Sequence, residues 1–172
     1  MIKHLLNLLL KLKLFLSRNP ERKPMQDFKI SEHFSFFELT RTDNREFIEK
    51  NREEGKKHEE NLVSLAYDLL EPVRTKWGAL IVHSAYRCPE LNKAVGSSDR
   101  SQHLIGQAAD FHILGRLSGI PLQEVFNWIW HESGLKWHQL IDEFGWIHIA
   151  SATGTNDMQV LRLDRDGLKI IS

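Results

Sequence analysis

The stretch Ser101-Gln102-His103-Leu104-Ile105-Gly106-Gln107-Ala108-Ala109-Asp110 contains a polar turn that leads into the beginning of a strand. In residues 107–113 small residues are followed by alternating polar and apolar side chains. Side chains in a strand repeat with a period of two, so Asp110 and His112 are predicted to face the same side of that strand. The glycine before the strand permits a turn or a close approach of two backbones. We therefore expect His103 to lie on the connection that enters the strand.

A second strand is predicted over residues 145–150, Gly-Trp-Ile-His-Ile-Ala. Trp146 and His148 share one face of this strand, and the two isoleucines lie on the opposite face. If the two strands are near neighbours in a sheet, Asp110 and His148 point into one cleft.

His103, Asp110 and His148 together offer two imidazoles and one carboxylate, the protein part of a catalytic zinc site with a fourth position for water. Zinc at such a site acidifies water and polarises a carbonyl group. The alternative is that these are ordinary hydrogen-bonded residues near a core, in a chain with nine histidines. The spacing alone leaves both interpretations open, because it is less specific than motifs such as His-Glu-x-x-His.

The pattern Ser-x-His-x-x-Gly-x-Ala-x-Asp followed by Trp-x-His resembles the zinc D-Ala-D-Ala carboxypeptidase family. Residues 84–96 resemble that family's Ser-Gly-Tyr-Arg-x-Pro-x-x-Asn segment, with Ala85 where glycine is usual. Residues 31–39 resemble the beginning of a subfamily common in phages and prophages, and the whole resemblance covers Phe28 to Ser151. The family includes phage peptidoglycan endopeptidases and vancomycin-resistance dipeptidases, and it shares its fold with the hedgehog signalling domain.

The resemblance implies one zinc ion, held by the His-Asp-His set, in a peptidase that hydrolyses peptidoglycan stem peptides. It also implies that Arg87 binds a substrate carboxylate or the developing oxyanion, for which a guanidinium offers forked donors. Glu143 is the expected base, because it lies five residues before His148 across a predicted tight hairpin. The carboxypeptidase branch uses this position, whereas the dipeptidase branch has glutamate three residues before the histidine, where this chain has Gly145.

Further residues are expected in supporting positions around the ligands. Some should orient the ligands through hydrogen bonds, and others should lie beside them or line the substrate cleft. This supporting set is Ser101, Gln107, His112, Tyr86 and Trp146.

The composition is that of a single folded domain. The chain has 172 residues, enough for a substantial core, and a formal net charge of zero, which gives no global attraction to nucleic acid. Its one cysteine, Cys88, excludes an intramolecular disulfide. Cys88 is expected to be a spacer in the turn after Arg87, with a catalytic thiol as the alternative. We expect a monomer.

Residues 1–16 differ from the rest of the chain, because leucines alternate there with lysines and other polar residues. At 100° per residue most of the leucines fall on one helical face, and the run is short and charged for a membrane span. Three interpretations stay open: an interfacial helix in peripheral contact with a membrane, an imperfect signal peptide, or a helix that packs on the domain. Residues 17–26, with two prolines, predict a linker.

The remaining pattern predicts an α+β fold, with a central antiparallel sheet flanked by helices. A helix is expected over residues 58–77, kinked at Pro72, and another after Pro121. Residues 41–57 are expected to form a loop or a frayed helix near the mouth of the cleft. Tight hairpins are expected over residues 137–150 and around the Asp-Gly pair of residues 160–171.

We expect three parts in the chain: an N-terminal segment and linker over 1–26, a zinc peptidase domain over 27–155, and a C-terminal β-hairpin extension over 156–172. The leading function is an endolysin-like endopeptidase or a D-Ala-D-Ala carboxypeptidase, made in the cytoplasm and acting at the bacterial cell wall; the export route stays open. One alternative is a catalytically inactive, zinc-containing module of the same fold that binds the cell wall. Another is an interaction protein that docks through its N-terminal helix.

Overall fold

The structure, a computed structural model, describes residues 24–114, 119, 121–143, 145–151 and 158–172. Six strands form one sheet and helices cover one of its faces, which confirms the predicted α+β class. In the described residues the helices are α1 (Phe36–Leu39), α2 (Ile48–Gly55), α3 (Glu59–Leu65), α4 (Glu71–Trp77), α5 (Pro89–Ala94) and α6 (Leu122–His131). The strands are β1 (Leu80–Ser84), β2 (Ala108–Ile113), β3 (Trp137–Asp142), β4 (Ile147–Ser151), β5 (Gln159–Asp164) and β6 (Gly167–Ile170).

The sheet has the strand order β1-β2-β4-β3-β5-β6. Four pairings are antiparallel, as predicted, and the pairing of β3 with β5 is parallel. Strands β3 and β5 are not consecutive, so no tight turn sets their relative direction. The C-terminal hairpin of β5 and β6 therefore continues the same sheet that contains the predicted site.

Alternation along the strands divides the sheet into a buried face and an open face. Phe111 and Ile113 of β2 and Ile149 of β4 are at most 1% exposed and lie against the helices. Asp110 and His148, at positions of opposite parity, project from the open face. The apolar periodicity thus buries one side of the sheet and leaves the other for polar side chains.

The helical layer includes a long segment that is not uniform along its length. Helices α3 and α4 are joined by a π-helical segment, Ala66–Leu70, and Pro72 lies in the first turn of α4. Proline has no N–H to donate to the preceding turn, which agrees with a widened turn at this place. The fully buried side chains of this segment are Leu62, Leu65, Ala66, Leu69, Leu70 and Val73.

Residues 41–57, expected to form a loop or a frayed helix, contain the helix α2 between two 3-10 turns, so the loop alternative is wrong for most of the segment. The side chain of Asn51 is fully buried, and Gly55 lets the helix approach its neighbours closely. A Cβ atom on Gly55 would lie 2.8 Å from Thr40 Cγ2 and 3.0 Å from Tyr86 Cδ1. The helix is therefore anchored by two residues that a hydropathy pattern does not mark as core.

None of the helices in the described part of the chain has the length and apolar character needed to cross a lipid bilayer. The expected amphipathic helix over residues 1–16 lies outside the described residues.

Candidate active site

The centre of the candidate site is a cluster of two histidines and one aspartate. His103 Nε2 lies 3.2 Å from Asp110 Oδ1, and His148 Nδ1 lies 2.7 Å from the same oxygen. The two imidazole nitrogens are 3.3 Å apart. His103 and His148 are 1% and 8% exposed, so the cluster lies at the base of a depression rather than on an exposed surface.

Strand pairing brings Asp110 and His148 together. Asp110 on β2 is directly opposite His148 on β4, and directly opposed residues in a sheet project from the same face. The two strands are thus neighbours, and under that condition their alternation predicted that Asp110 and His148 point into one cleft.

His103 reaches the cluster from a 3-10 turn, Gln102–Ile105, that precedes β2. Ser101 caps this turn, and its hydroxyl accepts a bond from the backbone N–H of His103. Gly106 ends the turn with φ of +70°, a conformation that glycine adopts without strain. The conformational freedom of that glycine lets the chain reverse from the turn into the strand.

Hydrogen bonds orient His103 as a metal ligand requires. Its Nδ1 atom lies 2.7 Å from the carbonyl oxygen of Ala85, so an N–H at Nδ1 donates to that oxygen and the Nε2 lone pair faces the cluster. Burial lowers the pKa of His103, which favours the neutral imidazole that binds metals. Burial acts to raise the pKa of Asp110, but the neighbouring imidazoles of His103 and His148 outweigh it, and the pKa falls well below its ordinary value.

Arg87 is held beside the cluster by both its backbone and its side chain. Its N–H donates to the His103 carbonyl at 3.0 Å, and its Nη2 donates to Asp110 Oδ2 at 3.2 Å. Asp110 therefore presents one oxygen to the imidazoles and the other to the guanidinium. Burial lowers the pKa of Arg87, but a guanidinium remains charged at any physiological pH.

Asn51 fixes the backbone on both sides of Arg87. Its side-chain amide donates to the carbonyls of Thr40 at 2.8 Å and Tyr86 at 3.0 Å, and its oxygen accepts from Cys88 N at 2.7 Å. Sequence reasoning missed Asn51, because a polar residue in a polar segment carries no sign that it will be buried.

Glu143 directly follows β3, and its backbone N–H donates to the Trp146 carbonyl across the hairpin at 3.1 Å. Burial and the nearby charge of Asp110 raise the pKa of Glu143. A carboxylate whose pKa is raised accepts a proton more readily near neutral pH, which suits a general base.

These residues open onto one cleft of about 650 Å³. The cleft brings together the predicted ligands, Arg87, Glu143, Ser101 and Trp146. It is also lined by residues that the motifs did not indicate: Arg100, His138, Gln139, Ile141 and Leu168.

Three of the expected supporting residues do not line this cleft. Tyr86 is 1% exposed in the core, where its ring stacks on His58 with centroids 5.2 Å apart. Gln107 supports the sheet through its backbone, and its carbonyl accepts from Ser151 N at 2.8 Å. His112 lies on the open face, where its Nδ1 is 2.6 Å from Nε2 of His83.

The structure does not favour the catalytic-thiol alternative. Cys88 is fully buried, and burial raises the pKa of its thiol, so the reactive thiolate is disfavoured. Two nearby carboxylates, of Glu54 and Glu90, are paired with the ammonium group of Lys50.

The donor set fits zinc in kind and in spacing. Zinc ligands lie about 2.0–2.1 Å from the ion, so two tetrahedral ligands are about 3.3 Å apart. Two of the three separations in the cluster, 3.2 and 3.3 Å, match this value, and the third is a short hydrogen bond between His148 and Asp110. His103, Asp110 and His148 could therefore hold one ion and leave a coordination position open to the cleft.

The sequence model of the peptidase M15 family matches residues 32–150. No curated protein sequence matches the chain. The family match includes the three donor residues, Arg87 and Glu143, and it covers more than half of the chain. It confirms the resemblance that the motifs indicated, and peptidases of this family depend on zinc. The chain belongs to the peptidase M15 family of metallopeptidases.

Proposed function

We propose that the protein hydrolyses peptidoglycan stem peptides at the bacterial cell wall, as an endopeptidase or a carboxypeptidase that acts as a monomer. The observation that carries this proposal is the opening of the His103–Asp110–His148 cluster onto a cleft that also contains Glu143 and Arg87. Membership of the M15 family supports the reaction type.

The metal-ligand cluster, Glu143 and Arg87 each have a role in this proposal. A zinc ion supplies Lewis-acid chemistry when bound, polarising the scissile carbonyl and lowering the pKa of water. Glu143 accepts a proton from the attacking water and returns one to the leaving amine. Arg87 donates hydrogen bonds to a substrate carboxylate or to the oxyanion that develops at the carbonyl.

The proposal is tested with purified protein, purified sacculi and two measurements. Plasma emission should find one zinc ion per chain, and mass spectrometry should find stem-peptide fragments released from the sacculi. Removing the metal with a chelator should stop release, and adding zinc back should restore it. The masses of the fragments identify the bond that is cut.

His148→Ala should lose both the zinc and the release of fragments. His131→Ala is the matched control, because His131 is exposed at the end of α6 and lies outside the cleft. Unchanged zinc content in His148→Ala would rule out the ligand assignment. Binding of the zinc-loaded protein to sacculi without any release would identify a cell-wall-binding module instead.

A further inference from the structure

We infer that the C-terminal hairpin, residues 159–170, forms part of the substrate cleft, with Leu168 binding an aliphatic side chain of a peptide substrate away from the scissile bond. The inference rests on the proposed peptidase function. Leu168 lies on β6, beyond the segment that the family model matches, and it lines the same cleft as Glu143 and His148.

The parallel pairing of β3 with β5 places the hairpin beside the site. Asp142, at the end of β3, is in register with Arg162 on β5, and the Arg162 Nε donates to Asp142 Oδ2 at 2.9 Å. Glu143 directly follows Asp142 and the end of β3, and Leu163 follows Arg162 on β5 and pairs with Leu168 on β6. The proposed base and Leu168 therefore lie at the same end of the sheet, where β3 and β5 end and β6 begins.

A second attachment holds the hairpin in this position. The Arg162 Nη2 donates to Gln123 Oε1 on α6 at 3.3 Å, so one guanidinium links β5 to both β3 and the helical layer. The hairpin is thus fastened to the domain rather than attached only through its pairing with one strand.

The cleft rim carries apolar side chains that remain accessible. Leu168 is 51% exposed, Val95 is 55% exposed and Trp146 is 38% exposed, and all three line the cleft. Apolar side chains left in contact with water around a cleft favour an occupant that covers them with aliphatic groups.

Strand spacing indicates which part of a substrate reaches Leu168. Strand β6 is two strand spacings from β3, about 10 Å. An extended peptide advances about 3.3–3.6 Å per residue, so Leu168 would contact a side chain roughly three residues from the bond near Glu143. A short peptide would not reach it.

The test compares a long stem peptide with the shortest fragment of it that is still cleaved. In Leu168→Ala we expect the ratio of kcat/KM for the long peptide to that for the short one to fall about four- to tenfold, through KM. The change removes three carbon atoms that the substrate covers only in part, and each methylene that becomes buried is worth roughly a fourfold change in affinity. Ile170→Ala is the matched control, since Ile170 is an exposed aliphatic residue of β6 that does not line the cleft; it should keep the ratio.

A binding measurement separates this inference from the proposed hydrolysis. Calorimetry of a synthetic stem pentapeptide with the zinc-loaded protein should show weaker binding to Leu168→Ala and unchanged binding to Ile170→Ala, whether or not the peptide is cut. Equal effects of Leu168→Ala on long and short peptides, or no binding of the pentapeptide to the parent protein, would overturn the inference. Sacculi that stay intact would count against the proposed function alone.

Discussion

At the scale of single residues, Asp110 organises the site. One of its oxygens meets both imidazoles and the other meets Arg87, so a single carboxylate links the candidate metal ligands to the candidate substrate anchor. His103 and Arg87 are in turn connected by a backbone hydrogen bond of 3.0 Å. A change at one of these positions is therefore expected to affect the others, and their effects on activity should not be additive.

Glu143→Gln should retain the fold and the zinc and lose about 10²–10⁴-fold in rate, the usual span for general acid–base catalysis. Glutamine keeps the size of the side chain but lacks the basic oxygen. Zinc content and cleavage of stem peptides are measured together, with His112→Ala as the comparison variant. His112 lies outside the cleft, so His112→Ala should cleave at the parental rate. Cleavage by Glu143→Gln at nearly the parental rate would show that the base has been misassigned.

Asn51→Ala should lower kcat/KM about tenfold or more with zinc retained, because the backbone on both sides of Arg87 loses its hydrogen bonds. It should also lower the free energy of unfolding by about 2–4 kcal/mol, since buried backbone groups are left without partners. The control is Asn127→Ala, at an exposed position of α6.

A purely structural role for Asn51 predicts a different result in combination with Arg87→Lys. If Asn51 acts through Arg87, the double variant is little worse than Arg87→Lys alone. Fully additive losses in kcat/KM, measured well below the melting temperature, would show that Asn51 affects stability and not the orientation of Arg87.

At the scale of elements, hydrogen bonds between pairs of segments that are distant in the chain hold the domain and its site together. The loop after β1 and the 3-10 turn before β2 exchange two bonds, from Arg87 N to the His103 carbonyl and from His103 Nδ1 to the Ala85 carbonyl. At the start of α4, Glu71 accepts bonds from the Ser31 hydroxyl at 2.6 Å and the His33 N–H at 2.8 Å. The second link ties the beginning of the domain to the helical layer.

Glu71→Gln should destabilise the protein at neutral pH by about 1–2 kcal/mol, through the loss of charge-assisted hydrogen bonds. Burial acts to raise the pKa of Glu71, but the bonds from Ser31 and His33 outweigh it, and the pKa lies below the ordinary 4.5. A lowered pKa in the folded state means that this stability is present above about pH 4.5 and is lost as the pH falls through the folded-state value.

The prediction is checked by measuring the free energy of unfolding from denaturant titrations at several pH values. The stability difference between the parent protein and Glu71→Gln should be present at neutral pH and should shrink below about pH 4.5. Glu60→Gln, at an exposed position of α3, is the control and should show little change at either pH. A stability difference that grows as the pH falls below about 4.5 would contradict the assignment.

At the scale of the whole molecule, the residues that stabilise the fold and the residues proposed for catalysis lie on opposite faces of the sheet. The buried face of the sheet packs on the helices, while the open face carries the ligands, the proposed base and Leu168. Residues from β2, β4, the turn before β2 and the hairpin of β5 and β6 reach this face, so the cleft requires the assembled sheet. No short segment of the chain contains the site.

Deletion of residues 1–26 should leave zinc content and cleavage of soluble peptides unchanged, because every candidate ligand lies beyond Ser84. The cut is placed before Asp27, whose Oδ1 accepts the N–H of Phe37 at 2.8 Å and helps to anchor the beginning of α1. If residues 1–16 form an interfacial helix, the deletion should weaken binding to anionic liposomes. Equal liposome binding by the two proteins would reject that interpretation.

Much of the site followed from the sequence, because its geometry depends on local rules. Alternation in residues 107–113 and 145–150 assigned Asp110 and His148 to faces of strands, and the glycine before β2 marked the turn that carries His103. The hairpin spacing placed Glu143 near His148. Local periodicity does not determine which strands pair, so the neighbourhood of the two strands was only a condition in the sequence, and the structure meets it.

Other features were decided only by tertiary packing. The burial of Asn51 depends on backbone groups that lie 11 and 35 residues away in the chain. Tyr86 is in the core because α2 and His58 cover it, and Leu168 reaches the cleft because β5 pairs in parallel with β3. The periodicity of a segment specifies which side of it will be buried, but the partner that buries it belongs to a distant part of the chain and is chosen only when the elements pack.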